Sequence, residues 1–204
     1  MLNWNDKCGY KESDAVAYRI HFTAMICSYG NTNWDEIEEY DCNRCHHLVQ
    51  INDFLTSRSS CLKKDGSMLD TYHYGVKEEI RNELIRQFDI TENDFRPCRN
   101  KKGEIVYYQI TPQHTMLPIA LLNNWKQLKP CRKCGRMQFR AKNVLLNENY
   151  PTFISQEALN DLHDINRTFE TFEMHIPDYI VSKRVYDFFE EKYPRLLFDP
   201  LFLK

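Results

Sequence analysis

Glycine is scarce in this chain, six among 204 residues, and none of the six is clustered. A loop whose backbone cradles phosphate is therefore excluded. No Gly-x-Ser-x-Gly elbow and no His-Glu-x-x-His helix occurs either, and His73, His114, His163 and His175 are scattered without a recognisable acid–base partner. Long apolar runs are missing. The most hydrophobic stretch, "TMLPIALL", contains Pro118 and falls far short of the roughly 18 residues a membrane helix needs. The opening "MLNWNDKCGYKESD" lacks the apolar core of a secretion signal. These features lead to the expectation of a cytoplasmic protein that does not enter a membrane. An excess of one charge is also absent: 27 basic against 29 acidic side chains give a net charge of −2. That balance argues against wholesale binding to nucleic acid or an anionic bilayer, while leaving room for a local basic patch. No Pro/Gly/Ser-rich linker divides the chain, so residues 1–204 are expected to form a single domain, long enough to bury roughly 70% of its unfolded surface.

Cysteine is what the chain does have. It carries eight, four of them as two Cys-x-x-Cys pairs: Cys42 and Cys45 in "EEYDCNRCHHL", and Cys131 and Cys134 in "LKPCRKCGRMQ". Eight cysteines placed at random would give roughly 0.3 such pairs. In a reducing compartment, paired spacing of this kind points to metal sooner than to disulfides. Two intervening residues let the backbone curl so that both sulfurs face one Zn²⁺, and Gly135 supplies positive φ cheaply after the second cysteine. Four thiolates complete a closed tetrahedron with no position left for substrate, so the expected zinc is structural. Reduced thiols without metal and redox chemistry are the competing readings. Redox ranks last, because neither pair opens a helix after a strand. His46 and His47 follow the first pair, and either could replace a thiolate. Cys27 reads as a small core residue on a strand; Cys8, Cys61 and Cys98 have no partner at ligand spacing.

The rest of the pattern mixes strands and helices without regular βαβ alternation, which predicts an α+β fold. Ala15–Cys27 alternates Val16, Tyr18, Ile20, Phe22, Ala24 and Ile26 and reads as a long strand with one apolar face. Val76–Phe88 places Val76, Ile80, Leu84, Ile85 and Phe88 at helical spacing. "DFRPCRNKKGEIVYYQITP" reads as a hairpin turning at Gly103. "SQEALNDLHDINRTF" predicts a helix capped by Ser155, with Leu159, Leu162, Ile165 and Phe169 along one stripe. "DYIVS" is a strand, Ser182 caps the helix "KRVYDFFEEK" with Val185, Phe188 and Phe189 inward, and "RLLFD" is a closing strand.

Two charged stretches flank the cysteine pairs. Lys129, Arg132, Lys133, Arg136, Arg140 and Lys142 surround the second pair, with Phe139 among them. A basic zinc ribbon of this kind is a reading for nucleic-acid binding, against the plainer one of a solvated loop. Asp35, Glu36, Glu38, Glu39 and Asp41 precede the first pair, beside Trp34. Such runs are usually solvated surface, but an aromatic anchor next to carboxylates is also what a basic protein partner would meet.

The order of features from Pro130 onward resembles the bacterial double-CXXCG motif family. "PCRKCGR" is followed by "LNENYPTF", "DLHDINRTFETF", "DYIVSKRVYDFF" and "LLFDPLFL", with a Cys-x-x-Cys upstream. "DFRPCRNKKGEIVYYQI" is similar to a hairpin of related immunity-type proteins. The resemblance covers the C-terminal half plus the first pair, where His46 stands in place of the motif's glycine. It implies a zinc-ribbon-bearing α+β protein, not an enzyme, that binds and neutralises a cognate toxin, with Cys42, Cys45, Cys131 and Cys134 as ligands. Toxin-contacting residues do not carry over from it. On the residues alone, the partner surface is placed at Trp34, Asp35, Glu36, Glu38, Glu39 and Asp41. The alternative is a zinc-ribbon regulatory protein that binds nucleic acid.

Overall fold

Among the described residues, two five-stranded sheets, two two-stranded sheets and three short α-helices make this a mixed α+β structure. The computed structural model describes residues 10–21, 38–42, 47–51, 55–56, 65–68, 74–100, 102–119, 125–135, 137–141, 152–170 and 177–204. The strands are β1 (Ala15–Ile20), β2 (Glu38–Cys42), β3 (His47–Ile51), β4 (Leu55–Thr56), β5 (Gly66–Met68), β6 (Tyr74–Val76) and β7 (Phe95–Asn100). They continue as β8 (Ile105–Ile110), β9 (Trp125–Gln127), β10 (Phe139–Ala141), β11 (Thr152–Ile154), β12 (Ile165–Arg167), β13 (Tyr179–Ser182) and β14 (Phe198–Leu203). The helices are α1 (Glu78–Gln87), α2 (Gln156–Asn160) and α3 (Lys183–Lys192).

The first large sheet runs β11-β14-β1-β13-β12, and the second runs β4-β7-β8-β6-β5. Each is antiparallel apart from one edge pairing, β11 with β14 and β4 with β7. β1 is the central strand of its sheet, which changes the expectation of a single apolar face. Tyr18 and Ile20 enter a cluster with Ile80 and Leu84 of α1 and Val185, Phe188 and Phe189 of α3. Ala17 lies in a second cluster with Met116, Ile119, Ile154, Ala158, Ile180 and Leu201. Both faces are covered, because a middle strand has no edge and each face has its own layer to pack against. The part of the expected strand beyond residue 21 lies outside the described residues.

The larger cluster draws on both sheets, joining Phe95 and Ile110 to Tyr179, Val181 and Phe202. Burying aromatic and branched side chains of this size stabilises the chain by about 1.5–3 kcal/mol each. Tyr18 and Tyr186 stack with ring centroids 3.5 Å apart, and Tyr186 donates from its hydroxyl to Glu12 Oε1 at 3.0 Å. That contact ties α3 to the start of β1.

α1 forms where expected but is shorter. Glu78 and Glu79 occupy its first turn and Arg86 its last, matching the helix dipole. Val76 pairs with Tyr108 in the second sheet instead of entering the helix. The β7–β8 hairpin turns at Gly103 with φ +82°, as its sequence predicts. Ser182 caps α3 by accepting the Val185 N–H at 3.4 Å.

The expected helix over residues 155–169 is corrected. Ser155 does cap it, accepting the Ala158 N–H at 3.1 Å, but the helix ends at Asn160 and Ile165 lies in β12. Polar side chains take over the backbone groups that a longer helix would have used. Asn166 Oδ1 accepts the His163 N–H at 2.9 Å, and its amide donates to His163 O at 2.8 Å and Ile180 O at 3.1 Å. Asp and Asn compete for the backbone in this way and break helices. The closing strand also starts later than "RLLFD" suggests, at Phe198. Pro200 is tolerated in it because the β11 pairing begins only at Leu201.

Candidate functional site

The second cysteine pair sits at the end of a hairpin. β9 and β10 pair antiparallel with Gln127 opposite Phe139, and Leu128 N–H extends the ladder by donating to Gln138 O at 2.8 Å. Beyond them the chain turns through Cys131–Cys134. Gly135 N–H donates back to Cys131 O at 2.8 Å, and Gly135 has φ +73°. A Cβ there would meet nothing within 4 Å, so backbone conformation and not space calls for glycine. Cys131 is buried and Cys134 exposed. Lys126, Lys129, Arg132 and Lys133 are all exposed around the turn. Arg136 and Lys142 lie outside the described residues.

The first pair shares this placement along the chain. β2 ends at Cys42, which pairs with His47 at the start of the antiparallel β3. Residues 43–46, with Cys45 and His46, form the link between these strands and lie outside the described residues, as do Trp34, Asp35 and Glu36. Glu38, Glu39 and Asp41 are on β2, where only the backbone is described. Cys8, Cys27 and Cys61 also lie outside. Among the described residues, no three or more His, Cys, Asp or Glu side chains are grouped to hold a metal. Of the four expected ligands, only Cys131 and Cys134 have described side chains. These two cysteines share one turn, closed by the Gly135 N–H to Cys131 O bond. Cys98, by contrast, is buried opposite Tyr107, and burial pushes its thiol up to about 12, so it is inert.

A charged network at one end of the first large sheet was not anticipated from the sequence. Arg19 of β1 lies between two carboxylates. Its Nε and Nη2 donate to Asp199 Oδ2 at 3.1 and 2.6 Å, and its Nη1 donates to Asp178 Oδ2 at 3.2 Å. His21 Nδ1 is 2.9 Å from the same Asp199 oxygen, with the histidine side chain 54% exposed. Its hydrogen bond to Asp199 raises the His21 pKa. Burial works to raise the Asp199 pKa, but the bond from His21 and the charge on Arg19 outweigh it and hold the carboxyl below its usual range.

Glu170 completes this end. Thr168 Oγ1 donates to Glu170 O at 2.8 Å and accepts the Asp178 N–H at 3.0 Å, which brings Glu170 and Asp178 together across residues 171–176. Glu170 is 1% exposed, and its Oε2 has no hydrogen-bond partner among the described residues. Burial pushes its carboxyl up to about 7, against hydrogen bonds from its own N–H and that of Ile119. Sequence periodicity held one signal of this cluster. Arg19 and His21 continue the register of Ala17, and Asp178 and Asp199 each precede by two a buried strand residue, Ile180 or Leu201.

Two further polar groups cross-link the fold. His114 and His163 stack at 3.9 Å, and Asp161 Oδ2 accepts the Leu117 N–H at 2.9 Å while lying 3.3 Å from His114 Nε2. Asp164, almost wholly buried, accepts from Asp89 N–H and Ser182 Oγ, each at 2.7 Å, and from Nε and Nη2 of Arg184. No helix among the described residues is long and apolar enough to cross a membrane. No family model, no curated protein and no solved structure matches the chain.

Proposed function

We propose that this chain is a binding protein that neutralises a cognate bacterial toxin by occlusion, as an immunity or inhibitor protein, with one structural zinc and no chemistry of its own. The observation behind the reading is the knuckle at Cys131–Cys134: a turn at a hairpin end, closed by the Gly135 N–H to Cys131 O bond, after a first pair that begins at the end of β2. Cys42, Cys45, Cys131 and Cys134 would hold the metal. A four-thiolate shell supplies rigidity, tying together two hairpins far apart in sequence, and offers no open coordination position. A reducing cytoplasm would keep those thiolates available. The resemblance to the double-CXXCG family supplies the toxin as partner, and the run Trp34, Asp35, Glu36, Glu38, Glu39 and Asp41 supplies its candidate docking surface.

Co-expression with the product of an adjacent toxin-like gene tests this directly. Cells should survive only with the chain present, and Trp34→Ala should weaken protection strongly, since aromatic anchors dominate interface energetics. Neutralising Glu38 and Glu39 should mainly slow association at low salt. Equal death with and without the chain contradicts the reading.

A second reading, nucleic-acid binding, is favoured by one observation: Lys126, Lys129, Arg132 and Lys133 are exposed together around the knuckle. It requires binding that weakens steeply with salt, because released counterions drive it.

A further inference from the structure

The charged end of the first large sheet draws on four parts of the chain. Arg19 and His21 come from β1 and the residue just beyond it, Asp199 from β14, Asp178 from the entry to β13, and Glu170 from the loop after β12. Arg19, His21, Asp178 and Asp199 act directly on one another, and Glu170 joins them through Asp178 and the Thr168 bridge between their backbones. Asp178 acts on Glu170 by its charge, and Asp178, Arg19 and Asp199 all act on His21. Their charges balance in one protonation state only. With Glu170 neutral and His21 charged, two cations meet two carboxylates. With Glu170 ionised and His21 neutral, Arg19 still faces Asp178 and Asp199, and a third carboxylate, 1% exposed with an unpartnered oxygen, meets only the like charge of Asp178. A buried charge in that position is costly, because solvent does not reach it, Asp178 repels it, and the N–H groups of Glu170 and Ile119 leave Oε2 without a donor.

We propose that this end of the sheet is a proton-operated latch, closed while Glu170 keeps its proton and His21 its charge, and loosened when both are lost. The three strands it fastens, β14, β1 and β13, are adjacent in the sheet, so loosening opens the sheet locally and need not unfold the chain. The inference does not rest on the zinc reading or on the toxin.

The sign follows from linkage. Glu170 has a folded pKa raised from 4.5 to about 7, so its contribution is complete below the unfolded value and is lost as pH rises through the folded one. His21, also raised from its ordinary 6.5, contributes fully below that value and is lost above it, in the same direction. For Glu170 alone, the shift makes the opened state about tenfold more accessible at pH 8 than at pH 6.

Amide hydrogen exchange on the full chain tests this, read as protection factors of Arg19, Ile20 and Ile180 so that intrinsic base catalysis is removed. Protection should fall at least tenfold from pH 6 to 8, relative to strands of the second sheet. Glu170→Gln should remove the tenfold share and leave only a smaller loss above pH 6.5. Adding His21→Asn should flatten the profile. Full retention of the loss in Glu170→Gln overturns the proposal. A carbon-13 titration of the Glu170 carboxyl in the unmodified protein decides the matter should that variant not fold. A midpoint near 7, shared by the Arg19 and Asp178 amides, supports the latch, and a midpoint near 4.5 overturns it.

Discussion

Asp164 is the residue whose removal should hurt the fold most for its size. Its carboxylate accepts the Asp89 N–H that follows α1, the Ser182 hydroxyl that caps α3, and the Arg184 guanidinium. One buried side chain thus fastens the two ten-residue helices, α1 and α3, to the start of β12. Hydrogen bonds to a charged acceptor contribute about 1.5–3 kcal/mol each where loss of the acceptor strands a donor. Two stranded donors, at Asp89 and Ser182, therefore set a cost of about 3–6 kcal/mol for Asp164→Ala, a large part of a typical domain's 5–15 kcal/mol. Arg184 adds little, since its side chain is 62% exposed and water replaces the lost partner. Arg184→Ala should cost under about 1 kcal/mol, and Asp164→Asn should fall between the two.

Urea denaturation of the three variants at pH 7 gives the ranking. A loss below about 1 kcal/mol for Asp164→Ala, or an equal loss for Arg184→Ala, would refute the reasoning. The pH dependence adds a check. Burial alone would raise the Asp164 pKa, but the bonds from Arg184, Ser182 and Asp89 outweigh it and hold it below the ordinary 3.8. Its contribution is therefore present above that value and lost as pH falls through the lower folded pKa, so wild type and Asp164→Asn should converge in strong acid.

Phe188 and Phe189 face the main cluster from α3, and Phe188→Ala should cost about 3–5 kcal/mol in thermal or chemical melts. A melting temperature within a degree of the parent would show that α3 packs on nothing. Gly135→Ala should cost about 1–2 kcal/mol through backbone conformation alone and should speed zinc release to a chelator, because its Cβ meets no atom but its φ is positive. An unchanged release rate would separate the turn from the metal. Charge reversal of Lys129, Arg132 and Lys133 should leave toxin protection intact and abolish any salt-sensitive nucleic-acid binding; lost protection would place the interface on the second knuckle.

Much of the sheet-and-helix pattern was legible because local signals and packing agree. Ile80 and Leu84 are at helical spacing and both are buried; Gly103 turns a hairpin at a positive φ; Ser182 caps the helix that Val185, Phe188 and Phe189 pack down. The misreadings have physical sources. Leu159, Leu162 and Ile165 mimic a helical stripe, but Asn166 binds the backbone at His163 and Ile180, and the sheet claims Ile165 as an edge strand. Val16 alternates as if facing one layer, while β1 is covered on both sides. The Arg19 network showed in the sequence only as charged residues in register with Ala17, Ile180 and Leu201; its members are separated by up to 180 residues, and the sheet brings them together. Of the proposed zinc site, the turn at Gly135 was readable from spacing, whereas Cys45 lies outside the described residues, as does Trp34 of the proposed docking surface.

Metal content bears most directly on the proposal that two distant hairpins share one structural zinc. The purified chain should hold about one zinc, and Cys45→Ser and Cys131→Ser should each lose it and melt far lower, since structural zinc is worth on the order of 10–16 kcal/mol in small finger peptides. Equal losses from the two hairpins would mark one shared site. No zinc in the wild-type protein, with a melting temperature indifferent to chelator, would contradict the account.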